Sequence, residues 1–103
     1  MLTTKRNKTT KTSLGAFIKL NRVARGFSQT ELASALGYTS PQFISDWERE
    51  VSSPPMKKVF ELAEHLGVRS ETVFELLVEL STRQLVEGLK EEFVKIKKGA
   101  NAS

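Results

Sequence analysis

A short predicted helix in the middle of this chain carries polar side chains that could read the bases of DNA. Four of them recur at i, i+3, i+4 and i+7, and so share one helix face: Gln42, Ser45, Asp46 and Arg49. Ile44 and Trp47 lie on the opposite face, where they can anchor the helix to a core. Amide, hydroxyl and carboxylate groups bond to base edges in the major groove. We therefore predict that Gln42, Ser45 and Asp46 contact bases.

Local signals make this helix the second of a pair joined by a tight turn. Ser28, with Glu31 three residues later, forms a capping box that starts the first helix. Gly37 ends that helix, because glycine adopts the left-handed conformation at little cost. Ser40 can cap the second helix, and Pro41 fits its first position.

The same stretch resembles a known DNA-binding family. The matching positions are Arg22, Gly26, Ser28-Gln29, Glu31-Leu32-Ala33, Gly37, Ile44 and Trp47-Glu48. They resemble the helix-turn-helix domain of phage repressor and Cro proteins and of xenobiotic-response-element regulators, over roughly residues 14–68. The resemblance implies that Arg22 forms an internal ion pair with Glu48. The alternative is a solvated arginine on the helix surface.

Two departures from the family pattern affect the second helix. The segment from Gly37 to Glu48 is one residue longer than usual. The base-reading role can therefore pass to Pro41 or Phe43, packed on a thymine methyl group. The family often has glycine where this chain has Glu50, so we expect a different exit from the helix.

Further side chains are candidates for contacts with DNA phosphates. The free N–H groups of a helix N-terminus bind anions, which favours the start of the first helix. Hydroxyls in the turn and cations beyond the second helix lie nearby in sequence. The candidates are Ser28, Gln29, Thr39, Ser40, Arg49, Lys57 and Lys58. The two lysines could equally be ordinary surface residues.

Positive charge is concentrated in the half of the chain that holds this motif. Residues 1–58 contain ten Lys or Arg against four Asp or Glu, whereas residues 59–103 contain six against eight. Because released counterions drive phosphate binding, we expect a polyanionic partner. Residues 1–12 are either a disordered basic arm that contacts DNA or simply an unstructured terminus. The cations of this arm are Lys5, Arg6, Lys8 and Lys11.

Two more helices complete the predicted DNA-binding domain, residues 13–68. Ser13 caps a helix over about 14–25. Another helix covers about 56–66. Its predicted core side chains are Val59, Phe60, Leu62, Ala63 and Leu66.

Residues 69–98 form a predicted helical extension. A helix over 70–80 either continues into the extension or is followed by a sixth helix that restarts at 82. An apolar stripe along the latter consists of Leu85, Leu89, Phe93 and Ile96. Because the first four helices already fill a core, we predict that this stripe is a homodimer interface. The alternative is a helix folded back on its own domain. Residues 99–103 should be a disordered tail.

No group of residues indicates catalysis or a bound cofactor. His65 is the only histidine, cysteine is absent, and no phosphate-binding glycine loop or catalytic motif occurs. We expect neither an enzyme nor a metal or cofactor site.

No apolar run is long enough to cross a membrane or to act as a secretory signal. The lack of cysteine is compatible with the cytoplasm, where we expect the protein to act.

The sequence thus predicts an all-α, five- to six-helix repressor-like DNA-binding domain with a C-terminal helical extension. The predicted function is a sequence-specific transcriptional regulator, a repressor that binds a two-fold operator in double-stranded DNA as a homodimer. One alternative is an antitoxin-type module that also binds DNA and takes a protein partner through its C-terminal helices. Another is the controller protein of a restriction–modification system.

Overall fold

The structure, a computed structural model, describes residues 12–102 as five α-helices and one 3-10 turn, without strands. The helices are α1 (Leu14–Ala24), α2 (Gln29–Ala35), α3 (Gln42–Arg49), α4 (Val59–Leu66) and α5 (Ser70–Ala102). The 3-10 turn, Met56–Lys58, leads directly into α4. The predicted all-α fold with a C-terminal helical extension is confirmed. No helix in this part of the chain combines the length and apolar character needed to span a membrane.

Side chains cap the first two helices as their sequences predict. The Ser13 hydroxyl accepts a hydrogen bond from the backbone N–H of Ala16 at 3.3 Å. Ser28 accepts from the N–H of Glu31 at 3.0 Å, and the Glu31 carboxylate accepts from the N–H of Ser28 at 2.9 Å. This reciprocal pair satisfies two backbone donors that the helix itself leaves free.

The third helix begins one residue later than the sequence predicts. Pro41 is the N-cap residue, outside the helix, and Gln42 is the first helical residue. The Ser40 hydroxyl still accepts from the N–H of Gln42, at 3.3 Å. Gly37, with a φ of +88°, turns the chain between α2 and α3. The extra residue is therefore absorbed in the turn, and α3 keeps its buried face.

Buried side chains from all five helices form one core, which fixes α3 from beneath. Ile44 and Trp47 are its contribution from α3, and both are almost fully buried. The prediction that α4 buries Phe60 is wrong, since this side chain is 72% exposed. The core face of α4 consists of Val59, Leu62, Ala63 and Leu66. Phe60 lies about 100° around the helix from Val59, beyond the edge of that face.

The C-terminal extension is one continuous helix and not two. Val73, Leu77 and Leu80 bury its first part in the core, whereas every residue from 81 to 100 is exposed. The alternative of a restart at 82 is wrong, because the helix runs from Ser70 to Ala102 without a break and contains no proline. Residues 99–102 are also helical, although the sequence assigned them to a disordered tail. A single glycine such as Gly99 costs a helix only about 1 kcal/mol and does not end it.

Candidate nucleic-acid interface

An aromatic cluster and one lysine hold α2, the turn and α3 together. The ring of Tyr38, in the turn, lies 4.6 Å from that of Phe43 and 5.9 Å from that of Trp47, between centroids. Lys58 Nζ donates to the backbone carbonyl of Leu36 at 2.7 Å and lies 5.2 Å from the Tyr38 centroid. A cation at a helix C-terminus offsets the partial negative charge of its free carbonyls. These contacts fix the orientation of α3 relative to α2.

A buried ion pair ties α3 to α1. Arg22 donates to both carboxylate oxygens of Glu48, from Nε at 2.6 Å and from Nη2 at 3.1 Å. The two side chains are 9% and 5% exposed. Arg22 Nη1 donates to the carbonyl of Phe27, and Gln29 Nε2 donates to Glu48 at 2.9 Å. The structure thus brings Arg22 and Glu48 together, and it adds Gln29 to the same network.

The outward face of α3 presents a connected set of polar side chains. Asp46 Oδ1 accepts from Gln42 Nε2 and from Arg49 Nη2, both at 2.8 Å. Arg49 Nε also donates to the Ser45 hydroxyl at 3.3 Å. Gln42 and Arg49 are exposed, and the other two are half-buried. The half-buried Asp46 carboxylate holds both donors at the surface, so base edges or phosphates can replace it as their acceptor.

The two apolar candidates flank this face. Pro41 is half-buried immediately before α3, and Phe43 is about half exposed within its first turn. One side of the Phe43 ring packs on Tyr38. The exposed part of the ring lies next to Gln42 in the chain, which is compatible with contact to a thymine methyl group.

Comparison with known proteins agrees with this geometry. A helix-turn-helix family model matches residues 18–73, just over half of the chain. The chain belongs to this helix-turn-helix family. It is therefore a DNA-binding transcriptional regulator.

One solved structure is also similar to this helix-turn-helix protein. It is the clp gene regulator ClgR from Corynebacterium glutamicum, with a TM-score of 0.52 and 24% sequence identity. The match covers 81% of this chain and 84% of that one. At this identity the likeness concerns the fold. Comparison with curated proteins gave no match.

Some of the residues predicted to contact phosphates have hydrogen-bond partners within the protein, and others are exposed. Gln29 and Lys58 already have internal partners, namely Glu48 and the carbonyl of Leu36. The exposed candidates are Ser28, Thr39, Ser40, Arg49 and Lys57. The Ser28 hydroxyl also caps α2, and the Ser40 hydroxyl accepts from the N–H of Gln42. Outside the described residues lie the arm cations Lys5, Arg6, Lys8 and Lys11.

Sequence reasoning missed the role of Glu50, at the exit of α3. This residue has a φ of +62°, in the left-handed region. Its Oε2 accepts from the backbone N–H of Gly15 at 2.8 Å, and its Oε1 accepts from Arg83 at 3.1 Å. Glu50 therefore links α3 to the start of α1 and to α5. The only signal in the sequence was that Glu50 stands where the family often has glycine. This signal does not indicate which residues Glu50 contacts.

The predicted dimer interface is a row of exposed side chains on α5. Leu85, Leu89, Phe93 and Ile96 are each more than half exposed, as is Val94 beside them. None of the four contacts the core. The alternative of a helix folded back on its own domain is wrong, because α5 continues straight beyond Leu80 with residues 81–100 exposed.

Proposed function

We propose that this protein is a repressor that binds a two-fold DNA operator as a homodimer. The observation that carries the proposal is the outward face of α3, where exposed Gln42 and Arg49 flank half-buried Asp46 on a helix anchored by Trp47. Repression requires only that the operator be occupied. Cytoplasmic action is part of the proposal, as is the absence of catalytic activity.

In this proposal α3 enters the major groove, where some residues contact bases and others contact phosphates. Gln42 can accept from adenine N6 through Oε1 and donate to adenine N7 through Nε2 as a bidentate pair, with Ser45 and Asp46 reading neighbouring bases. Arg49, Lys57 and the free N–H groups at the start of α2 hold phosphates, which fix the register but carry no sequence information. Binding energy and specificity therefore come from different residues.

The homodimer follows from the exposed row on α5. Apolar side chains of this size are rarely left exposed together in a monomer. A two-fold dimer would set two copies of α3 about 34 Å apart, one turn of DNA, on half-sites of a pseudo-palindrome. Light scattering should give twice the chain mass. A single-chain mass that persists up to the concentration used for DNA binding would remove the dimer from the proposal.

A binding titration tests the division between base and phosphate contacts. The protein is titrated into three kinds of DNA at several salt concentrations. These are an operator selected from random duplexes, single-base variants of that operator, and unrelated DNA. Gln42→Ala should cost ~1–3 kcal/mol on the operator and relax preference at one base position per half-site. Lys57→Ala is the matched control. It should weaken all duplexes by similar factors and lower the salt slope by about one.

Either of two outcomes would contradict this assignment. If Gln42→Ala weakened every duplex equally, Gln42 would not read a base, and Phe43→Ala would be tested in its place. If the wild-type protein bound selected and unrelated DNA with the same affinity, sequence-specific regulation itself would be excluded.

A second candidate function is an antitoxin-type module that captures another protein. The same exposed row on α5 favours it, because a partner's apolar surface could cover these side chains as well as a second copy could. Purification from a native host lysate separates the two. A stoichiometric second protein bound to the wild type and lost with Leu89→Asp supports the module. A homodimer without such a protein supports the repressor.

A further inference from the structure

An apolar patch lies on the body of the protein, and none of its residues is among the predicted DNA contacts. It consists of the exposed side chains of Met56, Phe60, Phe74 and Val78, and we call it the body patch. Three of these residues, with Val59 beneath, line a shallow hollow of about 160 Å³. Single exposed apolar residues are common on protein surfaces, but two phenylalanines beside one hollow make a contiguous apolar patch. DNA contact does not account for the patch.

The body patch continues into the exposed row on the extension. At about 100° per residue, Phe74, Val78, Leu85, Leu89 and Ile96 all fall within roughly 60° of helix surface, and Phe93 lies about 40° beyond the edge at Leu89. One apolar strip therefore runs along α5 from the body to the end of the extension. A partner that covers only the extension would leave Phe74 and Val78 of this strip exposed.

Charge along α5 identifies the partner that fits the whole strip. Residues 70–80 contain three glutamates and no lysine or arginine, whereas residues 90–98 contain four lysines and two glutamates. Two parallel copies would place the acidic segments side by side. Two antiparallel copies would place each acidic segment against a basic one. Opposite charges attract and like charges repel at such distances, so the antiparallel arrangement is favoured.

We propose that the body patch receives the C-terminal half of α5 from a second copy, with the two α5 helices antiparallel. This inference rests on the proposed homodimer. A two-fold axis between residues 83 and 84 would bring Phe93 opposite Phe74 of the second copy and Leu89 opposite Val78. The same helix register therefore places both pairs of apolar residues opposite each other. The same patch is used by both copies, as a two-fold interface requires.

Cross-linking tests the arrangement, because the chain has no cysteine of its own. The variants are Phe74→Cys, Phe93→Cys and the double variant, oxidised and run on non-reducing gels. In the antiparallel register only the double variant should form a covalent dimer. Positions 74 and 93 are about 28 Å apart within one helix, so an internal disulfide cannot form.

A second experiment asks whether the body patch itself takes part. Phe60→Asp should weaken dimerisation by about tenfold or more, since burying a phenylalanine contributes much of an interface's affinity. Leu20→Asp is the matched control, because Leu20 is 67% exposed on α1 and lies outside the strip. It should leave the dimer unchanged. Sedimentation equilibrium gives both dissociation constants, and circular dichroism checks that both variants are folded.

The outcomes separate this inference from the proposed function. Disulfide dimers of Phe93→Cys alone would establish a parallel pair and overturn the inference, while leaving the homodimer in place. A wild-type dimer in which Phe60→Asp and Leu20→Asp behave alike would overturn the role of the body patch. A monomeric wild type would overturn the inference together with the homodimer, although sequence-specific DNA binding would still be tested separately.

Discussion

Replacing Glu48 by alanine should destabilise the protein more than any exposed charge substitution. The substitution leaves Arg22, whose side chain is only 9% exposed, with the carbonyl of Phe27 as its remaining partner. It also removes the acceptor of Gln29. Stranding one partner of a buried ion pair costs ~3–5 kcal/mol, because the remaining charge stays out of water without compensation. For a domain with roughly 5–15 kcal/mol of stability, this is a large fraction.

Urea unfolding followed by fluorescence measures this loss. Trp47 is the only tryptophan and is buried in the core, so its emission reports on unfolding. Glu61→Ala is the matched control, since Glu61 pairs with Lys58 at the surface and should cost less than about 1 kcal/mol. Protein concentration is held fixed because dimerisation would add to the apparent stability.

A double substitution shows whether the loss comes from the stranded charge. Arg22→Met with Glu48→Leu removes both charges and keeps apolar volume. The double variant should therefore be more stable than Glu48→Ala alone. A loss below about 1 kcal/mol for Glu48→Ala would refute the reasoning, because it would mean that Arg22 reaches water when its partner is removed.

Substitutions at four other positions are expected to shift the unfolding midpoint. Gly15→Ala should destabilise by ~1–3 kcal/mol, because its Cβ would collide with the backbone carbonyl oxygen of Glu48 in the last turn of α3. Gly88→Ala, a helical glycine with open space around it, should instead stabilise by ~0.5–1 kcal/mol. Lys58→Met should cost ~1–2 kcal/mol, since the carbonyl of Leu36 loses its charged donor. Glu50→Ala should be about 1 kcal/mol less stable than Glu50→Gly, because only glycine relaxes the left-handed backbone. Equal unfolding midpoints for Gly15→Ala and Gly88→Ala, or for Glu50→Ala and Glu50→Gly, would contradict the reasoning.

The sequence alone determined the local features of this protein. The capping box of Ser28 and Glu31, the turn at Gly37 and the inward pair Ile44 and Trp47 were all predicted. Each depends on residues within one or two helical turns, where backbone geometry leaves few alternatives. The helix pattern together with the family resemblance was sufficient for the fold class. Side chains of a helix must share a face at fixed intervals, so the outward set on α3 could also be predicted.

Only the tertiary structure decided which partners these side chains take. Lys58 reaches the carbonyl of Leu36, 22 residues away, and Glu50 joins Gly15 to Arg83 across 35 and 33 residues. Phe60 could not be assigned to the surface from its type, because exposure depends on which helices pack beside it. The sequence also left open whether α5 continues past Leu80, and the structure shows one helix from Ser70 to Ala102. Local sequence restricts the backbone, whereas long-range contacts form only once the core has brought distant segments together.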